Sequence, residues 1–330
     1  MEKETVKVEK LKKWFPVNLG FWSSLVSRKK LFVQAVDEID FEIGKGEIFG
    51  LVGESGSGKT TTGRLILRLV EPTGGKVLFK GNDIAHVSEK EMKNYRRKIQ
   101  MIFQDPYESL NPKMTIGDIV SEPLYVQGEL HPEDKVRKAL EDVQLAPPDE
   151  FLFRYPHELS GGQRQRVAVA RALVLDPEFI VADEPVSMLD VSIRAEVLNL
   201  MIELVEKYKV SLLFITHDLA LSRHICDKIA VMHLGKIVER GPVEKIIYEP
   251  RHPYTKALIQ AVPVPDPTSE RIGTVIKGEI PSPVHPPSGC RFHTRCPSYI
   301  GDICRKAEPQ LIEIDEGRWV ACHLYGTQKK

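Results

Sequence analysis

The eight residues Gly53-Glu54-Ser55-Gly56-Ser57-Gly58-Lys59-Thr60 constrain the fold more than any other part of this 330-residue chain. An apolar run, Glu47 to Val52, enters them, and Leu65, Ile66, Leu67, Leu69 and Val70 behind them carry a helical pattern. The spacing predicts strand, glycine loop and helix. The loop fits the phosphate-binding pattern GxxxxGK[ST]. Its glycines let backbone N–H groups point inward at phosphate oxygens, Lys59 reaches the terminal phosphates, and the Thr60 hydroxyl, followed by Thr61, can ligate magnesium.

Two further apolar runs, Phe179 to Ala182 and Leu212 to Thr216, read as strands buried on both faces, with an amphipathic helix from Ile193 to Tyr208 between them. Strand, helix and strand in alternation argue for an α/β layer with a parallel sheet. Ile229 to Arg240 reads instead as a hairpin turning near Gly235. Residues 105–160 change character: Pro132 opens a stretch in which Val136, Leu140 and Val143 share one helical face, which predicts a small helical insertion. Beyond Gly241 the segments PVPDPTSE and PSPVHPPSG lead into a separate C-terminal extension. The expected domains are therefore a core of 1–104 with 161–243, a helical subdomain of 105–160 and an extension of 244–330.

Carboxylates mark the second part of the site. Asp183 and Glu184 follow the run Phe179 to Ala182, where Asp183 can hold magnesium through water and Glu184 can polarise an attacking water. His217 ends the next run and can reach a terminal phosphate; Gln104, after Ile102 and Phe103, can touch magnesium or water at the edge of the insertion. Leu159-Ser160-Gly161-Gly162-Gln163 precedes the helical pattern of Val167 to Leu173 and makes a second helix N-terminus with a serine cap. Two anion cradles with one lysine loop suggest that the second serves a nucleotide held by another subunit in a head-to-tail dimer.

Taken together these motifs resemble an ABC-transporter ATP-binding subunit. GESGSGKT resembles its Walker A loop, Gln104 its Q-loop, LSGGQ its signature, FIVADE its Walker B strand with Glu184 as catalytic carboxylate, Ser187 to Asp190 its D-loop and His217 its switch histidine. Met188 stands in the D-loop where the family more often has a small residue. The resemblance implies a P-loop NTPase (RecA-like) α/β core with an antiparallel β subdomain and a helical insertion, and ATP and Mg2+ as ligands. It also implies an aromatic stacked on adenine, for which Phe15 is the first choice and Trp14 the second.

QMIFQDPYESLNPKMTI, VADEPVSMLDVSIRAEVLNL and RHPYTKALIQAVPVPDP narrow the resemblance to the dipeptide and oligopeptide importer branch, closer to its F-type than to its D-type subunit. That implies import driven by a heterodimer with a D-type ATPase, two transmembrane permease subunits and an extracytoplasmic solute-binding protein, at the cytoplasmic face of the membrane. Related importers carry oligosaccharides or nickel complexes. ABC ATPases that act on nucleic acid share the nucleotide motifs, but the 46 basic and 46 acidic residues cancel and no sustained heptad is present, which argues against nucleic acid as a partner. The charged N-terminus carries no apolar signal segment, so the default compartment is the cytoplasm. The segment Val17 to Lys30, with Phe21, Trp22, Leu25 and Val26 before Arg28, Lys29 and Lys30, reads as an insertion that can lie on a membrane or form a hairpin.

Of five cysteines, Cys226 stands alone as an expected buried thiol, whereas Cys290, Cys296, Cys304 and Cys322 fall in a glycine- and proline-rich stretch where a metal can supply folding free energy. The spacing lacks the paired CxxC of structural zinc; zinc, an iron-sulfur cluster and free thiols all remain open, with His293 or His323 as replacement ligands. The importer-branch resemblance implies a [4Fe-4S] cluster, with Zn2+ as the alternative.

Overall fold

The computed structural model describes residues 4–17, 31–261 and 278–326. Of the insertion expected from Val17 to Lys30, residues 18–30 lie outside the described residues, as does the PVPDPTSE segment. The first elements in chain order are β1 (Glu4–Pro16), β2 (Phe32–Gly44), β3 (Ile48–Val52), α1 (Lys59–Ile66), β4 (Gly74–Phe79), β5 (Asn82–Asp83), α2 (Glu89–Arg96) and β6 (Ile99–Ile102). The middle of the chain forms α3 (Pro106–Ser109), α4 (Ile116–Val126), α5 (Glu133–Asp142), α6 (Asp149–Leu152), α7 (Gly161–Leu173), β7 (Phe179–Asp183), α8 (Val191–Tyr208) and β8 (Ser211–Thr216). It closes with α9 (Leu219–Ile225), β9 (Lys228–His233), β10 (Lys236–Pro242), α10 (Val243–Tyr248), α11 (Pro253–Gln260), α12 (Asp302–Lys306), β11 (Ile312–Asp315) and β12 (Arg318–Val320). Among the described residues no helix is long and apolar enough to cross a membrane.

The chain divides into two units. One comprises Met1–Val6, Ile43–Ile48 and Phe79–Ile215. Here β6, β7 and β8 run parallel, in register Ile102 to Ala182 and Asp183 to Ile215, and every residue of β7 and β8 is buried, as their unbroken apolar runs require. Residues 105–160 are helical as expected, and Val136, Leu140 and Val143 are all buried. Their face lies toward α7, which also meets α3, α4, α8 and β6, so the signature helix is the axis of this unit. Local sequence fixes the ends: Thr115 and Asp118 form a reciprocal capping box at α4, and Ser160 and Gln163 do the same at α7.

The other unit comprises Lys7–Glu42, Phe49–Leu78 and Thr216–Lys330. Its strands follow the order β11-β12-β10-β9-β3, with β2-β1-β4 in a second sheet. The hairpin predicted near Gly235 joins β9 to β10 through Leu234 and Gly235, whose φ values of 43° and 79° are the left-handed pair of a type I′ turn. Helix α1 stops at Ile66, short of the expected Val70. Arg68 turns to φ 53°, and the N–H groups of Leu69 and Val70 both donate to the Arg64 carbonyl, which closes the helix and leaves Leu69 exposed.

The C-terminal extension, with few apolar residues, is nevertheless built into this unit. Strand β12 pairs antiparallel with β10, β11 pairs with β12, and Phe292 is buried against the rings of His233, His252 and Tyr254. Strand addition draws on main-chain hydrogen bonds, so short strands dock without a long apolar pattern.

Candidate nucleotide site and cysteine group

The phosphate loop leaves β3 at Gly53 and enters α1 at Lys59. A Cβ on Gly53 (φ 156°) would stand 2.2 Å from the Met232 carbonyl oxygen, and one on Gly58 (φ 108°) 2.2 Å from that of Ala35, so both positions demand glycine. Gly56 is also left-handed, and Ser55 and Gly56 form the exposed crest of the loop. The buried Lys59 ammonium donates to the carbonyls of Gly53 (2.7 Å) and Glu54 (3.0 Å), holding the loop curled around it. Thr60 and Thr61 are half-buried in the first turn of α1. The Ser57 hydroxyl is buried and has no hydrogen-bond partner among the described residues, as suits a cradle for a polar ligand.

Three side chains that the sequence pattern does not flag grip this loop. Arg295 donates to both carboxylate oxygens of Glu54, at 2.9 and 3.0 Å, and the Glu54 N–H donates to the Tyr254 hydroxyl at 3.0 Å. Burial pushes the Glu54 carboxyl up, but the hydrogen bonds and charge of Arg295 outweigh it and hold the group below the usual carboxylate range. The Gly235 N–H donates to the Ser57 carbonyl at 2.8 Å, and Arg291 braces that turn by donating to the Leu234 carbonyl. A glutamate inside the loop and arginines flanking the cysteines are the only signals, and neither has a recognisable spacing.

In the same unit, His217 is exposed, directly before Asp218, which caps α9 by accepting from the N–H groups of Ala220 and Leu221. Trp14 donates from Nε1 to Asp37 at 3.1 Å and carries the Lys12 ammonium over its ring, whereas the half-buried Phe15 carries that of Lys13 at 4.9 Å.

The carboxylates and the signature belong to the other unit. Because Ile102 pairs with Ala182, the residues two steps on, Gln104 and Glu184, leave the sheet side by side, and Gln104 Nε2 donates to Glu184 Oε2 at 3.3 Å. Asp183 is buried at the end of β7, while Glu184 has φ 46°. A left-handed backbone costs a non-glycine residue about 1–2 kcal/mol, and such strain gathers at functional positions. It is fixed by the Glu184 N–H donating to the Ile215 carbonyl and by the Ser187 N–H and hydroxyl donating to the Glu184 carbonyl. Asp190 precedes α8, and Met188 is exposed. Thr60 in one unit, and Gln104 and Asp183 in the other, each carry a side-chain oxygen, the ligand type magnesium takes.

Leu159 is buried, Ser160 is exposed at the head of α7, and Ser160 Oγ accepts from the Gln163 N–H at 3.2 Å. Gly161 is half-buried, and Gly162 lies so close to α8 that an added Cβ would fall 2.5 Å from Ile193 Cγ2. The Arg164 guanidinium sits 3.9 Å over the Tyr107 ring and donates to the Pro156 and Leu159 carbonyls, fixing the approach to the helix.

The four tail cysteines converge without a disulfide: the Cys290 N–H donates to the Cys304 carbonyl at 2.8 Å, and a charge on one thiol is felt by the others. The side chains of Cys290, Cys296, Cys304 and Cys322 form no single-ion site, which leaves the expected metal centre unsupported and argues against its Zn2+ alternative. Among the described residues no three His, Cys, Asp or Glu side chains are arranged to hold a metal ion. The replacement ligands are engaged elsewhere: His293 Nδ1 bonds the Cys290 carbonyl and His323 Nε2 that of Ala307. Burial pushes the Cys290 thiol up to about 12 and Cys322 to about 11. Cys226 is buried, as expected.

Residues 36–187 match the family model for the ABC transporter, and residues 238–304 that for the oligopeptide/dipeptide transporter, C-terminal region. The oligopeptide transport ATP-binding protein AppF of Bacillus subtilis is 49% identical over 331 residues, 98% of each chain. The dimeric MJ0796 structure, a bacterial ABC transporter cassette, aligns over 72% of this chain and 98% of its own with a TM-score of 0.61 and 26% identity. The structure of cbiO1 from Clostridium perfringens, part of the ABC transporter complex cbiONQ, aligns over 75% and 92% with a TM-score of 0.63 and 27% identity. With its phosphate loop, its strained Glu184 and its match to AppF over nearly the whole length, the chain is an ATPase and belongs to the ABC transporter family, in the group that carries the oligopeptide/dipeptide transporter C-terminal region.

Proposed function

We propose that this ATPase powers the import of di- and oligopeptides. The observation that carries the reading is the match of residues 238–304 to the oligopeptide/dipeptide transporter C-terminal region, joined to an ABC cassette and shared with the oligopeptide transport relative AppF. In this reading the N–H groups of residues 53–61 and the Lys59 ammonium bind the phosphates of ATP, and Phe15 lies on the adenine. Thr60, Gln104 and Asp183 support magnesium; Glu184 takes a proton from the attacking water, and His217 and Gln104 respond to the terminal phosphate. Leu159 to Gln163 bind ATP held by a second, D-type subunit, with Ser187 and Asp190 facing that partner. ATP thus bridges the pair and its hydrolysis opens it.

The domains act accordingly. Residues 1–104 and 161–243 bind and hydrolyse ATP, while 105–160 press on two transmembrane permease subunits at the cytoplasmic face of the membrane. An extracytoplasmic solute-binding protein delivers the peptide. Glu184→Gln tests the chemistry: it should keep ATP binding within about threefold and lower kcat at least a hundredfold, in the range expected for loss of a general base. A variant that turns over normally removes Glu184 from that role. For the substrate, peptide-loaded binding protein should stimulate ATP hydrolysis by the complex in proteoliposomes, and stimulation by an oligosaccharide or a nickel complex instead would overturn the peptide assignment.

For the tail, the proposal is that Cys290, Cys296, Cys304 and Cys322 hold a [4Fe-4S] cluster, which spreads its four thiolates over a wider shell than a single ion does. About four iron and four sulfide per anaerobically purified chain is the expected result. One zinc without iron would replace this reading.

A further inference from the structure

The phosphate loop contains a carboxylate, an unfavourable charge for a loop that takes a triphosphate, and its counter-charge comes from a residue 241 positions away. We propose that the C-terminal extension sets the affinity for ATP through Arg295, a positioning residue that neutralises Glu54 and holds it away from the bound phosphates. The inference rests on the reading of residues 53–60 as the ATP-binding loop.

The geometry is that of a purpose-built clamp. Two parallel N–H···O bonds of 2.9 and 3.0 Å fix the plane of the Glu54 carboxylate, and the arginine side chain is only 6% exposed against 23% for Glu54. His233 is the other nearby base, 3.9 Å from the carboxylate, but burial lowers it to about 4, so it is neutral at pH 7 and Arg295 carries the compensating charge. The loop is gripped at two more points of the same residue, its N–H by Tyr254 and its carbonyl by Lys59. A second strut runs in parallel. Arg291 ties the Leu234-Gly235 turn to Asp37 (2.5 Å) and Gln34 (2.8 Å), and Gly235 in turn holds the Ser57 carbonyl. Both arginines adjoin cysteines, Arg291 after Cys290 and Arg295 before Cys296, so the segment that gathers the thiols also positions the loop.

Without the arginine, the loop would present an uncompensated carboxylate to the triphosphate. The cost falls on ATP binding rather than on the bond-breaking step, since Glu184, Gln104 and His217 are untouched. The repulsion also grows with ligand charge, so ATP suffers more than ADP.

The test is equilibrium Mg-ATP and Mg-ADP binding with steady-state hydrolysis on the full-length protein. Arg295→Ala should raise the Kd for ATP about tenfold, equivalent to about 1.4 kcal/mol, and that for ADP about threefold, with kcat within twofold. Arg295→Gln, which keeps a hydrogen-bond donor without charge, should do the same and stands in if the alanine variant does not fold. Adding Glu54→Gln to either variant should bring the ATP Kd back within threefold of the parent, a rescue that general loss of packing would not show. Unchanged ATP affinity in a folded Arg295 variant, or failure of Glu54→Gln to rescue, would overturn the assignment. Lys59→Ala separates the two readings: if it also binds ATP normally, the loop assignment is at fault, whereas if it alone loses ATP, only the role of Arg295 falls.

Discussion

Removal of Arg318 should loosen the edge of the sheet that carries the C-terminal extension. Arg318 and Glu239 have side chains 1% and 0% exposed and meet at 3.2 Å, linking β12 to β10. Glu239 also accepts from the N–H groups of Arg251 and His252, each at 2.9 Å, so it fixes the start of α11 as well. In Arg318→Met the carboxylate would stay buried with those two N–H groups as its remaining donors. Breaking one side of a buried pair costs about 3–5 kcal/mol, whereas replacing both by apolar or neutral groups is often close to neutral. At about 1.4 kcal/mol per tenfold, amides of β10 and β12 that exchange through local opening should therefore exchange roughly two to three and a half decades faster. Arg318→Met with Glu239→Gln should recover most of that protection. The control is Lys306→Ala: its 2.5 Å pair with Asp302 has both side chains more than 60% exposed, and its loss should change stability by less than about 1 kcal/mol. Hydrogen–deuterium exchange on the full chain makes the measurement. A less than tenfold change in Arg318→Met would refute the reasoning, because it would mean that Glu239 finds solvent or a new donor at no cost.

Acid should weaken the same unit before its carboxylates titrate. Burial holds His233 at about 4 and His252 at about 3; around His233, Glu54 pulls the value up while Arg295 and Arg291 push it down, and His252 feels His233. Both values lie below the ordinary 6.5, so the unfolded chain takes up protons first as the pH falls: stability is level above about pH 6.5 and declines from there toward pH 4. Denaturation at pH 5.5 should show about 2–3 kcal/mol less stability than at pH 7.5, and His233→Phe should remove about half of the slope. Gly58→Ala should lower ATP affinity more than tenfold, because its Cβ needs a left-handed backbone and meets the Ala35 carbonyl oxygen at 2.2 Å; isothermal titration with Mg-ATP gives the answer. Gly162→Ala should cost about 1–3 kcal/mol in thermal denaturation through collision with Ile193, and a second change, Ile193→Ala, should return part of it.

What the sequence discloses and what it hides follow different physics. Strands β3, β7 and β8 are buried throughout, so each had to be an apolar run, and the loop and carboxylates that close them stand within a few residues of those runs. The hairpin at Gly235 and the face of Val136, Leu140 and Val143 were legible for the same reason: one periodic pattern encodes one local structure. Helix α1 ended early because a left-handed turn at Arg68, a residue with no special preference for it, overrode the apolar pattern beyond. The extension was less legible, since its attachment depends on main-chain pairing of β12 and on single side chains, Phe292, Arg291, Arg295 and Arg318, that carry no period. An arginine in a turn is ordinarily a solvated charge; only the fold brings Arg295 to Glu54. Motif matching registers Glu54 as a variable place between two glycines, yet in this fold its carboxylate is met by the Arg295 guanidinium from the extension. The choice of residue at a variable position of the loop and the presence of the extension are therefore one physical requirement, expressed at two sites 241 residues apart.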